Sequence, residues 1–297
     1  MKQKNKFLSL LLVIVATGFM FVNAQQKTYD AYRLYDNNGR AIDYQQMVRQ
    51  LSKADVVFLG EIHNCAITHW LELRILQSLY LAHGNNLALG MEMFEADNQL
   101  ILNEYLQGLI FSDRFEEEAR IWPNYATDYA PIVNFARENK IPTVATNVPR
   151  RYAAMVKEHG LAFIDSLSKE AKQYFPPLPI PYEPNPQAEQ GFAMMRMLGG
   201  GKSNKDNNHL SEAQALKDAT MAWHIAQTSK PKMLHINGNI HSDGNNGIIT
   251  YLRKYAPKKK IITLRTVRQE DITFLDDTYK GLADYYLCVP EDMTNTY

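Results

Sequence analysis

The chain has 297 residues, 32 lysines and arginines against 32 aspartates and glutamates, 45% apolar residues and two cysteines. A neutral balance excludes a protein built around nucleic acid, which needs a basic footprint on the phosphates. The apolar content is ample for a core without disulfides, and the length suits one α/β domain or two small ones.

Residues 1–24 read as a leader outside the fold. Lys2, Lys4 and Lys6 form a basic start, residues 7–22 are apolar, and Val22-Asn23-Ala24 offers a cleavage site, the pattern of a secretory signal peptide. The alternative is an uncleaved anchor, since the apolar run approaches spanning length. No cysteine lies in or just after this segment, which excludes lipid anchoring through an N-terminal cysteine. The expectation is an exported protein, periplasmic or secreted and not a lipoprotein. Its mature chain starts at Gln25, is slightly acidic, and forms a single domain over 25–297.

Asp36-Asn37-Asn38-Gly39 signals a turn, because asparagine and glycine tolerate positive φ. Residues 44–51 read as a short helix and residues 55–59 as the first strand. That apolar run breaks at Gly60 and delivers Glu61 and His63 into the next loop. Ile67, Trp70, Leu71, Leu76, Leu79 and Tyr80 then approximate helical spacing, with Gly84 as the stop. A strand at 87–91 leads into Glu92-Met93-Phe94-Glu95, and Asp97 is placed to cap a helix that Gly108 closes. Residues 128–139 read as an amphipathic helix with Pro131 in its first turn. Residues 141–145 form a strand ending at Thr146-Asn147, before Arg150 and Arg151 open another helix. This order predicts an α/β fold, a largely parallel or mixed central sheet flanked by helices.

The rhythm lapses over about 160–210, which reads as a helical insertion over the sheet. The insertion is proline-rich at 175–181, holds Met194, Met195 and Met197, and ends in a loop at 199–208 that is flexible by composition. The rhythm resumes with a helix at 212–226, a strand at 233–236, a helix at 247–255, and strands at 260–267 and 285–289.

Gly60-Glu61-Ile62-His63 and Gly238-Asn239-Ile240-His241 repeat one device, Gly-x-x-His at a strand end. Open α/β sheets place ligands at the carboxyl ends of their strands, so the two loops suggest one shared site. Glu61 and His63 alternate along an extended segment and face one side. Such a pair suits metal binding, or a base held by a carboxylate. Glu92, among Met91, Met93 and Phe94, needs a partner, an arginine being the plain structural choice. Asn147 ends a neighbouring strand on the same rim.

Together the strand ends would bring Glu61, His63, Glu92, Asn147 and His241 to one crevice. There His63, His241 and Glu61 could hold zinc or another divalent metal, or His63 could activate a water alone. Such a site would serve a metal-dependent, protease- or esterase-like hydrolase with Glu61, His63, Glu92 and His241 as its catalytic set. His69, His83, His159, His209 and His224 show no matching spacing and read as ordinary residues. Cys65 and Cys288 leave a disulfide, two buried thiols, or a functional thiol near His63 open.

The motifs Gly60-Glu61-Ile62-His63, Met91-Glu92-Met93-Phe94, Trp122 to Tyr129 with Pro131, Ala145 to Arg150, Lys217 to Ala222, and Gly238-Asn239-Ile240-His241 with Gly247-Ile248 occur in order. Together they resemble the ChaN-like family of haem-binding, iron-regulated bacterial proteins. That family belongs with the Tiki proteases, the TraB family and the erythromycin esterases, which share paired Gly-x-x-His motifs. The resemblance covers most of the mature chain.

It implies export, a role in haem and iron uptake beside outer-membrane haem uptake machinery, and haem held at a homodimer interface. It further implies a tyrosine axial ligand assisted by a histidine, and tyrosinate suits ferric haem. Tyr129, inside the matched aromatic run, is the first candidate, followed by Tyr125 and Tyr182. Arg150 and Arg151 are candidates for the haem carboxylates. Members of the family are often lipoproteins, a feature this chain lacks. The resemblance leaves a haem carrier as the main expectation and the hydrolase as the alternative.

Overall fold

The computed structural model describes residues 29–198 and 209–297; the signal peptide expected at 1–24 and the loop at 199–208 lie outside the described residues. Ala31–Tyr297 make up one unit. The turn at Gly39 joins two strands too short to leave a pattern in the sequence, β1 (Arg33–Asp36) and β2 (Ala41–Ile42). Asp36 Oδ1 holds this turn by accepting from the backbone of Asn38 and Arg40. Helix α1 (Tyr44–Leu51) starts on a capping box. Asp43 accepts from the Gln46 amide at 2.7 Å, and the Gln46 side chain accepts from the Asp43 amide at 3.2 Å.

Strand β3 (Val56–Glu61) is buried at all six positions, as a parallel strand covered on both faces should be. Helix α2 (Ala66–His83) leads to β4 (Leu87–Glu95), which runs four residues past its predicted end and so takes Glu92 into the sheet. Helices α3 (Gln99–Leu106) and α4 (Ser112–Glu118) follow, then a π-helical turn at Tyr125–Tyr129 that delays α5 to Ala130–Glu138. Asp97 is not a helix cap; it lies in a 3-10 turn and pairs with Arg120 and Arg151.

Strand β5 (Thr143–Asn147) and helix α6 (Arg150–His159) precede the insertion. The insertion is helical as expected, with a 3-10 turn (Leu161–Ser166), α7 (Lys169–Lys172) and α8 (Pro186–Leu198). Helix α9 (Leu210–Ala226), β6 (Lys232–Gly238), α10 (Ile248–Tyr255), β7 (Ile261–Gln269) and β8 (Tyr285–Pro290) complete the chain. No described helix is long and apolar enough to cross a membrane.

The sheet order is β2-β1-β8-β7-β3-β6-β4-β5. The six strands from β8 to β5 run parallel, and β1 pairs antiparallel with both β8 and β2 at one edge. Alternate strand residues serve opposite faces. Val57 and Leu59 join the core under α2, α3, α4 and α5, whereas Val56 and Phe58 join the core under α6, α9 and α10. The connections after β3 and β6 therefore leave adjacent strands toward opposite faces, which opens a crevice at their carboxyl ends.

Gly247, where the second loop turns into α10, has φ +56°, and a Cβ there would stand 2.4 Å from the His241 carbonyl oxygen. Backbone strain and a clash with backbone add at this position. Gly247→Ala should lower the unfolding free energy by about 2–4 kcal/mol in urea titrations. An unchanged midpoint would show that the loop is not a tight joint.

Candidate functional site

The β3–β6 pairing sets Glu61 directly beside Gly238. That register joins the two Gly-x-x-His loops, and the glycine leaves room for an imidazole: a Cβ on Gly238 would lie 2.9 Å from His63 Cε1 and 3.7 Å from Glu92 Oε2. His63 thus lies across the crest of the sheet, between a polar cluster on each face.

On the α2 face, Glu61 Oε1 accepts from His63 Nδ1 at 2.6 Å and from the Tyr129 hydroxyl at 2.6 Å. His69 and Glu72, one turn apart on the buried side of α2, contact each other at 2.9 Å. Asn124 Nδ2 donates to the His63 carbonyl and to Asp128 Oδ2, and the Thr296 hydroxyl donates to that same Asp128 oxygen. Burial works against the charge on Glu61, but the His63 hydrogen bond and the nearby imidazoles hold its carboxyl below the usual range. Burial also opposes protonation of His69, yet Glu72 and Glu61 lift it to about 10. Burial and the Glu61 charge push Glu72 up to about 8.

On the α9 face, His241 is clamped between Asp218 Oδ1, 2.5 Å from Nδ1, and Glu92 Oε1, 3.0 Å from Nε2. Glu92 Oε2 accepts from the Gly238 amide at 2.7 Å. Its partner is therefore a histidine and a backbone N–H, not an arginine. Burial opposes both charges, but Glu92 and Asp218 raise His241 to about 10, and His241 holds Glu92 well below the carboxylate range. His235, fully buried beside Thr146 and Asn237, is pushed down to about 4 by burial and is neutral.

A cleft of about 570 Å³ opens over this edge, lined by His63, Glu92, Asn147, Trp122, Tyr297 and the basic side chains of Arg150, Lys157 and Lys217. Among the described residues none of these three cations is in an ion pair. The His63 side chain is 41% exposed here. Its Nδ1 is taken by Glu61, so Nε2 is the nitrogen left for a ligand. Residues 295–297 close one side: Cys65 bridges to Asn295, the Thr296 amide donates to the Asn64 carbonyl, and Tyr297 reaches the cleft at 62% exposure. A larger groove of about 1220 Å³ between α3 and α5 holds none of the paired imidazoles.

The structure thus gathers Glu61, His63, Glu92, Asn147 and His241 at one edge, but splits them between two faces. The expected metal set of His63, His241 and Glu61 does not converge, because both ring nitrogens of His241 are taken by carboxylates on the face opposite Glu61. Tyr129 and Tyr125 are buried, and burial raises both hydroxyls well above the ordinary range. Neither presents an oxygen to a surface where a porphyrin could lie; Tyr182, 45% exposed, does. Arg151 is committed to Asp97 and stacks on Tyr152, leaving Arg150 as the member of the basic pair at the cleft. Cys65 and Cys288 are both free thiols, and both are buried.

Sequence reasoning passed over His69, Glu72, Asp218 and Gln214, whose side-chain amide stands 2.9 Å from His241 Nδ1. Their signal was available: charged and amide residues interrupting the apolar sides of α2 and α9, where an unpaired polar group is costly.

Residues 47–252 match the family described as haem-binding uptake, Tiki superfamily, ChaN. Among solved structures, ChaN of Campylobacter jejuni, described with cofacial haem binding, aligns with a TM-score of 0.67 at 20% identity, over 86% of this chain and 96% of that one. A Bacillus cereus protein aligns with a TM-score of 0.46 at 11% identity, over 82% of this chain and 90% of its own. An erythromycin esterase mutant aligns with a TM-score of 0.44 at 12% identity, over 80% of this chain and 77% of its own. At 20% identity the Campylobacter jejuni structure speaks to the fold alone. No curated protein matches the sequence.

The clamp on His241 has a pH signature. Its folded pKa of about 10 stands above the model-peptide value of 6.5, so its stabilisation is complete below about pH 6.5 and is lost as pH rises toward 10. Urea midpoints should fall steadily across that window. A midpoint that stays level would show that the ring is not held charged between Asp218 and Glu92.

Proposed function

Since the chain belongs to the ChaN family of haem-binding uptake proteins in the Tiki superfamily, we propose that it is an exported haem binder that serves haem and iron uptake. The observation that carries this reading is the cleft over the strand ends. Its volume of about 570 Å³ falls within the roughly 300–1,000 Å³ common for cofactor and ligand sites.

A porphyrin offers a flat apolar disc, two carboxylates and an iron that needs an axial donor. Trp122, Val148 and Leu210 supply apolar wall, and Arg150, Lys157 and Lys217 supply cations without ion-pair partners among the described residues. His63, fixed through Nδ1 by Glu61, keeps Nε2 toward the cleft, and a carboxylate behind an imidazole raises its strength as a ligand. Tyr297 at the cleft and Tyr182 near the start of α9 are exposed phenols placed to serve as the tyrosine ligand. The residues present fit the group. Bound haem would supply a ferric centre whose spectrum reports its axial donor.

Cofacial haem binding, described for the Campylobacter jejuni protein, comes to this chain as the proposal that two copies meet across these clefts. Delivery to outer-membrane uptake machinery belongs to the same proposal.

Titration of the mature chain with hemin should give a saturable absorbance change of tyrosinate type. Burial opposes protonation of His63, but Glu61 and Glu92 raise its pKa, so a proton competes with iron for Nε2 and affinity should rise from mildly acidic to alkaline pH. His63→Ala should weaken binding about tenfold or more and flatten that pH dependence. Tyr129→Phe should leave the spectrum unchanged. No saturable binding in the wild type ends the haem reading.

One observation favours a second reading, a hydrolase using Glu61, His63, Glu92 and His241: two imidazoles, each held by carboxylates, flank the same strand ends. A screen of peptide and ester substrates checks it. Turnover in the wild type that disappears in His63→Ala supports it, and equal turnover in both removes it.

A further inference from the structure

The buried cluster on the α2 face lies beneath the cleft, and the haem reading draws on it only through Glu61, which holds His63. Glu61 is 2% exposed, His69 4% and Glu72 0%, and one donor atom from each lies within 4.8 Å of the others. His69 Nε2 stands 3.1 Å from the His63 carbonyl oxygen and 3.4 Å from Asp128 Oδ2. A carbonyl can only accept, so Nε2 carries the ring proton. Nδ1 then points at Glu72 Oε2, 2.9 Å away, and at Glu61 Oε2, 3.6 Å away. A lone pair facing two carboxylates is repelled unless a proton or a metal ion stands between them.

Two carboxylate oxygens of this trio, Glu61 Oε2 and Glu72 Oε1, are buried and lack a hydrogen-bond partner among the described residues. A buried charged oxygen left unsatisfied carries its full desolvation cost, so native interiors rarely leave one. The other Glu61 oxygen is already satisfied by Tyr129 and His63, which fixes the carboxylate with Oε2 turned toward His69.

We propose that Glu61, His69 and Glu72 bind one divalent transition-metal cation, of the zinc or manganese class, inside the protein. One imidazole and two carboxylates are the donor types such ions take, and two negative charges neutralise the ion away from water. The His63 carbonyl and Asp128 occupy the place behind His69 where metal-bound histidines have an orienting acceptor. Asn124 and Thr296 in turn hold Asp128. Because Glu61 also anchors His63, the ion would stiffen the floor of the cleft from below.

The competing occupant is a proton. Full-chain protein is loaded with zinc chloride, or separately with manganese chloride, dialysed against metal-free buffer, and its metal content measured by mass spectrometry. About one ion per chain should remain in the wild type, and about a tenth of that or less in Glu72→Gln, which keeps the shape and removes the charge. No retained metal in the wild type overturns the proposal and assigns the space to a proton. Equal retention in Glu72→Gln overturns it by placing the ion elsewhere. Should Glu72→Gln fail to fold, X-ray absorption of the loaded wild type decides. One imidazole with oxygen donors is expected, and two imidazoles would place the ion at His63 and His241 and reject this site.

Discussion

The parallel pairing of β3 with β6 is the constraint on which the whole strand-end edge depends. Its register puts Glu61 against Gly238, so a carboxylate and an imidazole come from one loop and the space for that imidazole from the other. A slip by one residue would turn every side chain of β3 to the opposite face. Glu61 would then leave Tyr129 and His69 and meet the α9 layer, where Glu92 and Asp218 already share His241. Charges this deeply buried persist only when paired, so the ion pairs and the register enforce each other.

This arrangement separates two kinds of chemistry by depth. Below the crest, His69 and His241 are each enclosed by carboxylates and almost wholly buried. Above it, His63 is half-exposed, beside aromatic wall and cations that have no ion-pair partner among the described residues. The interior groups hold the scaffold of the cleft, and ligand contact falls to His63 and the residues around it.

Much of this was legible in the sequence. The runs that become β3, β6, α1 and α10 were readable because buried parallel strands and amphipathic helices follow period and length rules. The partnership of Glu61 with His63 followed from their spacing on an extended segment. The misses have physical reasons. Strands β1 and β2 are too short to show alternation and exist by pairing with each other and with β8. β4 outruns its apolar run because Gly238 and His241 satisfy Glu92 inside the sheet. His69 looked ordinary because, apart from Glu72 one turn along α2, its partners come from β3, the loop after it and the π-helical turn, which no single helical period joins. Tyr129 stands as the first ligand candidate from its place in the matched motif, because a sequence shows that a phenol is present but not which side of a helix turns inward.

The segment 295–297 has one more consequence, for handling the molecule. It crosses the loop after β3, bonds to Asn64 and Asp128, and leaves Tyr297 at the lip of the cleft. Anything joined to that residue emerges into the opening. A bulky group attached to Tyr297 would obstruct entry. A small fluorophore in the same place would turn the protein into a reporter of its own occupancy, with an absorbing ligand quenching it from a few ångströms away.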